Sequence, residues 1–138
     1  MSTQPQVNRD NQRREFFNEH AEEWLDMCYL NPDTGEHTRF DAAFERLFSG
    51  VEMLRDGCIL DVGGGSGVLV PHVLRRLSQT GRLIEVDYAE EMIAENRRLH
   101  TDGRITFVSA DVMDLDIAPN TVDLVLCFSC FPPFEQKG

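Results

Sequence analysis

The sequence is short of positive charge and has no long apolar run, and each shortage excludes a class of function. Its 138 residues hold 13 Lys and Arg against 24 Asp and Glu, a formal net charge of -11. Affinity for nucleic acid comes largely from neutralising phosphates with basic side chains. Here Arg13-Arg14, Arg75-Arg76 and Arg97-Arg98 are isolated pairs, so neither nucleic acid nor an anionic membrane surface is an expected partner. The apolar runs last only a few residues, far less than a membrane span needs. The polar start, MSTQPQVNRDNQR, has no apolar segment of the signal-peptide kind. The cytoplasm is the expected location. A metal is not expected either. Cys28 and Cys58 stand alone, and His20, His37, His72 and His100 are scattered. Cys127 and Cys130 form a CxxC, but zinc would want a second pair or suitably spaced histidines. A redox CxxC should open a helix, whereas this one ends an apolar stretch and runs into Pro132-Pro133. The expectation is buried, inert thiols, since free Cys behaves as a small hydrophobe.

What is present is an ordinary globular composition, 41% hydrophobic and 27% charged, at a one-domain length. Three parts are expected: a disordered tail over residues 1–10, a helical cap over 11–57, and an α/β part over 58–138. In the cap, Phe16, Phe17, Ala21, Trp24, Leu25 and Cys28 recur at helical spacing from about Asn11 to Leu30. Asn31-Pro32-Asp33-Thr34-Gly35 is turn chemistry. Thr38, with Asp41 three residues on, resembles the start of a second helix whose stripe is Phe40, Ala43, Phe44, Leu47 and Phe48. After Gly57 short apolar strands alternate with helices. Strands are expected at Cys58–Val62, Leu83–Asp87, Ile105–Val108 and Val122–Phe128, and helices from about Val68 to Gln79 and from Glu90 to His100. That alternation implies βαβ units, a parallel sheet and right-handed crossovers.

Glycines directly after a first strand mean close backbone approach or positive φ. The dinucleotide spacing G-x-G-x-x-G fails in every frame, because Val68, Ser66 or Val70 stands where a glycine is required. The P-loop fails too, since no Gly-Lys-Ser/Thr follows. The pattern that is present is Asp61-x-Gly63-x-Gly65-x-Gly67. Asp87 ends the second strand about 20 residues later, a spacing common in nucleotide-binding folds. Asp111 follows the third strand, and Val122-Asp123-Leu124 opens the fourth.

In these residues the chain resembles the class I S-adenosylmethionine (SAM)-dependent methyltransferases, of the small-molecule type, from about Phe16 to its last residue. The resemblance implies a Rossmann-like parallel sheet with helices on both faces, preceded by an N-terminal helix pair, and a small-molecule methyl acceptor. It also implies SAM as cofactor, with a role for each matched residue. Asp87 would accept from both ribose hydroxyls. Asp111 would take the adenine amine and the Val112 N–H the ring. Tyr88 and Met92 would flank the adenine, although Met92 reads equally well as core. Gly63, Gly65 and Gly67 would let the chain pass under the ribose and methionine moieties. Asp61 would face the α-ammonium, and the Cys127 carbonyl would meet it too. Asp123 has no expected cofactor role. Glu85 departs from the family, where a small residue is usual, and faces solvent or crowds the cofactor. The segment Phe16 to Trp24 resembles an aromatic entry helix that closes over the cofactor; Phe17 and Trp24 packing on the sheet is the alternative.

Methyl transfer from a sulfonium needs mainly alignment of donor and acceptor, so no nucleophile or metal is required and no catalytic residue is nominated. The family's sheet continues beyond a fourth strand, whereas only Ser129 to Gly138 follow here. The expectation is a truncated, incomplete sheet whose uncovered fourth strand invites self-association. Three readings stay open: a methyltransferase completed by another chain, an inactive SAM-binding fragment, and an interaction module using the fourth strand with Phe131 and Phe134.

Overall fold

The computed structural model describes residues 3–50 and 55–128. The elements run α1 (Thr3–His20), α2 (Trp24–Tyr29), α3 (Asp41–Phe48), β1 (Cys58–Val62), α4 (Val70–Leu74), β2 (Arg82–Asp87), α5 (Glu90–Leu99), β3 (Ile105–Ser109), a 3-10 turn (Val112–Asp114) and β4 (Leu124–Leu126). The four strands form one parallel sheet in the order β3-β2-β1-β4, the Rossmann-like arrangement implied above. The chain order reverses between β1 and β4, which opens the crevice where such sheets bind ligands.

Side-chain alternation sorts the strands into two faces. Ile59 and Leu83 point to one face and pack with Tyr29, Phe44, Phe48, Leu69, Val70, Val73 and Leu77 from the α2–α4 region. Asn96 of α5 bonds Glu85 on that same face. On the other face Leu60, Val62 and Val86 are covered by Val112, Leu115, Ile117 and Val122, from the 3-10 turn and the loop leading into β4. The central strands β1 and β2 are therefore buried on both sides.

Several boundaries moved for identifiable reasons. Residues 3–10 belong to α1, not to a disordered tail. The expectation rested on polarity, but α1, polar apart from Val7, Phe16 and Phe17, is held at its far end, where Phe17 packs on the Ala21–Ala89–Met92 cluster. The single helix expected from Asn11 to Leu30 is broken at residues 21–23. There the Glu23 and Trp24 N–H groups reach back three residues to His20 and Ala21, and the His20 ring pairs with Glu23 at 2.6 Å. Thr38 is not the cap of α3. Phe40 stands at that position without a side-chain cap bond, while Asp41 bonds the His72 ring. α4 is five residues long. Arg104, from the far side of β2, satisfies the carbonyls at and beyond the helix end, donating to Leu74, Leu77 and Ser78.

The open side of the sheet has its own fastener. The Cys58 N–H donates to Asp123 Oδ2 and the Asp123 N–H to the Cys58 carbonyl, both at 2.8 Å. Asp123 thus clamps the start of β1 to the entry of β4. Asp123→Ala should cost about 1 kcal/mol, the scale of an exposed charge-assisted hydrogen bond. A urea midpoint equal to the parent's would remove Asp123 from the account of β4 docking.

Candidate cofactor site

The carboxyl ends of the strands surround a cavity of about 340 Å3. Asp61, Gly63, Gly65, Asp87, Tyr88, Met92, Asp111 and Val112 all line it. Two expected residues do not. Gly67 sits behind the loop, against Asn96 and His100. Cys127 turns to the opposite face, toward the β1–β2 cluster of Leu60 and Val86. Its neighbour Phe128 lines the cavity instead, stacked edge-on against Phe44 at 4.9 Å. Cys127 is also disulfide-bonded, while Cys28 and Cys58 are free. This corrects the inert-thiol expectation at Cys127. Cys130, Phe131, Pro132, Pro133 and Phe134 lie outside the described residues.

The alternating glycines have one cause. Gly63, Gly65 and Gly67 have φ of +67°, +58° and +92°, the left-handed region that side chains disfavour. The loop is held by the Gly64 N–H on the Val86 carbonyl at 3.0 Å and the Gly67 N–H on the Gly64 carbonyl at 3.0 Å. It reaches α4 through a further turn, so α4 begins at Val70 rather than Val68.

Asp87 does more than face the cavity. Its Oδ2 accepts from the Gly65 N–H at 3.0 Å and its Oδ1 from the Ala89 N–H at 2.9 Å. One carboxylate therefore pins the glycine loop and the start of α5 while leaving lone pairs toward the cavity. Burial raises its pKa, and these backbone bonds oppose the rise. Tyr88 lies edge-on to Phe17 at 6.2 Å, with the Arg14 guanidinium 5.5 Å from its ring centre. Burial first, and then Asp87, pushes its pKa up to about 12. Met92 is both core and lining, packed with Ala21 and Ala89. Phe17 and Trp24 likewise pack together at 5.4 Å and face the cavity, so the two readings of the aromatic segment describe one arrangement. Asp111 caps the 3-10 turn by accepting from the Met113 N–H at 2.9 Å.

Sequence reasoning missed part of the wall. Asp10, Asn11, Arg13 and Arg14 of α1 and Tyr29 of α2 also line the cavity. Their signal was weak, because polar residues on a polar helix show no preferred face. Glu85 was misread. It is 0% exposed, so it does not face solvent, and it is not among the lining residues either. The histidines stay outside. His20 pairs with Glu23 and His37 with Asp26, both at the surface. His72 is buried between Asp41 and Glu45. Among the described residues no group of His, Cys, Asp and Glu is placed to hold a metal, and no helix is long and apolar enough to cross a membrane.

A parallel sheet with a glycine turn after β1 and acids at successive strand ends defines a nucleotide-type binding fold. Residues 59–137, more than half of the chain, match the family model of a methyltransferase domain. The chain belongs to that family. Its fold is shared with a SAM-dependent methyltransferase from Aquifex aeolicus, at a TM-score of 0.62 and 17% identity over 77% of this chain and 55% of that one. It is shared with the magnesium protoporphyrin IX methyltransferase of Synechocystis PCC 6803, solved with bound SAM, at 0.62 and 16% identity over 90% and 63%. A SAM-dependent methyltransferase from Mesorhizobium loti matches at 0.54 and 24% identity over 64% and 40%. The chain thus spans 40% of the length of the Mesorhizobium protein. No curated protein matches it.

Proposed function

We propose that this chain is the cofactor-binding part of a SAM-dependent methyltransferase whose acceptor is a small molecule. The observation that carries the reading is the convergence of Asp61, Asp87 and Asp111 with the positive-φ Gly63 and Gly65 on one cavity. The donor set suits SAM. Asp87 has spare lone pairs for a ribose diol. Ser66 Oγ and the Tyr88 hydroxyl are buried without partners inside the protein and await polar groups, since buried polar atoms are normally satisfied. When bound, the cofactor supplies an activated methyl group. The chain's own residues bind and orient: Asp61 faces the ammonium, Asp87 the ribose, Asp111 the adenine amine and the Val112 N–H the ring. Phe17, Trp24 and Tyr88 exclude water above it. No side chain of the cavity is assigned a proton-transfer role.

Calorimetry with SAM and with S-adenosylhomocysteine tests the reading. One site per chain for each is the expected result, and no heat with either at neutral pH would remove the cofactor assignment. Turnover of methyl-labelled SAM separates a working methyltransferase from a chain that only binds.

The open edge supports a second property. Among the described residues β4 pairs with β1 alone, and Val125 at its middle is 56% exposed. An uncovered apolar strand is a template for pairing. Self-association is the expected behaviour, read as a concentration-dependent mass by light scattering. A monomer at all concentrations would count against it.

A further inference from the structure

Asp61 and Glu85 are direct partners in the β1–β2 register. Both side chains point to the helical face, and both are buried, 2% and 0% exposed. Two ionised carboxylates cannot sit side by side in such a place, because neither is solvated and they repel. The surroundings show where relief comes from. Asn96 Nδ2 of α5 donates to Glu85 Oε1 at 2.8 Å and also reaches the Gly65 carbonyl at 3.3 Å. The His100 ring bonds Asn96 Oδ1 at 2.9 Å. Asp61 Oδ2 and Glu85 Oε2 are left buried with no donor. A single proton between the two carboxyl groups supplies that missing donor. Both carboxyl groups lie over Gly64, where an added Cβ would stand 2.7 Å from Glu85 Oε1 and 3.1 Å from Asp61 Oδ2.

Resting on the cofactor reading above, we propose that Glu85 is a positioning residue. It stays a neutral acid, donates its proton to Asp61 while accepting from Asn96, and fixes Asp61 as one buried negative charge facing the cofactor's ammonium. Glu85 acts only through Asp61, which lines the cavity while Glu85 does not. The same arrangement ties the charge to the loop, because Asn96 grips both Glu85 and the Gly65 carbonyl.

The titration behaviour agrees in direction. Burial raises both groups, Asp61 to about 6 and Glu85 well above the usual carboxyl range. The Glu85 bond lowers Asp61, and Asp87 raises both. The other titratable groups that face the pair are His100 just after α5, held down by its own burial, and Tyr29 on α2, whose phenol is raised by burial, by Cys28 and by Asp61. A carboxyl whose folded pKa lies above its unfolded value binds its proton more tightly in the folded state. The pair's stabilising effect is thus complete at low pH and is lost as pH rises through the folded values. The charge that meets the ammonium has the opposite dependence: it is lost as pH falls and Asp61 takes up its own proton, earlier than an exposed aspartate would because burial raises it.

The test uses the full chain with Glu85→Gln and Glu85→Leu. Gln keeps a donor for Asp61 and an acceptor for Asn96; Leu keeps neither. The parent-minus-Gln infrared difference spectrum of the free protein near pH 7.5 should show one protonated carboxyl. S-adenosylhomocysteine affinity, measured by calorimetry across pH, should fall at least about tenfold in the Leu variant at neutral pH, the scale of a lost hydrogen bond to a charged group. Its acid limb should move to higher pH, because Asp61 has lost the bond that kept it ionised. The Gln variant should restore both affinity and limb. Thermal midpoints of all three proteins are read alongside, and the parent should lose stability more steeply with rising pH than the Gln variant. Absence of the carboxyl band, or a Leu variant with the parent's affinity and acid limb, would overturn the proposal. A parent that binds no S-adenosylhomocysteine at any pH would overturn the cofactor reading itself, and this role with it.

Discussion

Gly67→Ala is expected to destabilise the fold by about 3 kcal/mol, combining left-handed backbone strain with overpacking of a filled site. Gly67 does not touch the cavity, yet its φ of +92° is one that alanine adopts only under strain. An added Cβ would lie 2.5 Å from Asn96 Oδ1, 2.9 Å from Asn96 Cγ and 2.7 Å from His100 Cε1. Asn96 has no cheap way to yield, because it is fully buried and bonded to Gly65, Glu85 and His100. Displacing it would release the glycine loop as well, so cofactor affinity should fall together with stability. Gly103→Ala is the matched control, since nothing lies within 4 Å of its added Cβ and no positive φ is required there. Urea denaturation of the three proteins decides the matter. A Gly67 variant with the parent's midpoint would mean that the loop is not held as described.

Asp87→Ala should weaken SAM binding by at least about 1.4 kcal/mol, or tenfold, because a charged acceptor is lost. The loss has two parts. One is the direct bond to the ribose that the proposed pose assigns to Asp87. The other is internal: the Gly65 and Ala89 N–H groups lose their acceptors at 3.0 and 2.9 Å, and the glycine loop is no longer tied to α5. Asp87→Asn separates charge from shape only in part. Its single oxygen can serve one of the two N–H groups, and its NH2 must then confront the other. The Asn variant should therefore also bind weakly, closer to Ala than to the parent. Calorimetry with all three proteins measures this. Equal affinities for parent and Ala would take Asp87 out of the site, while Asn binding like the parent would show that the loop tolerates an unpaired N–H.

Much of this site could be read along the chain because its chemistry is local. Positive φ demands glycine at the residue concerned, so Gly63, Gly65 and Gly67 mark the turn without any tertiary information. A strand that ends in an acid announces where its side chain will stand, because parallel strands bring their carboxyl ends to one side. Motif spacing and the family resemblance point to Asp61, Asp87 and Asp111, and all three line the cavity. The fold class followed from the alternation of strand and helix after Gly57.

What only the tertiary structure decided depends on residues that meet across long stretches of sequence. Asn18 of α1 accepts from the Glu91 N–H at 3.0 Å and so caps α5, a helix whose own N-cap, Ala89, supplies no side-chain bond. Arg104, at the entry to β3, satisfies carbonyls at and beyond the end of α4. The wall contributed by Asp10, Arg13 and Arg14 depends on where the polar first half of α1 comes to rest, which its own pattern leaves open. Glu85 is the sharpest case. Its alternation puts it on the same face as Leu83, but whether that face is wet or dry is set by α5 closing over it with Asn96. Local backbone demands and strand-end positions are written residue by residue; burial, capping and charge pairing are properties of what packs above.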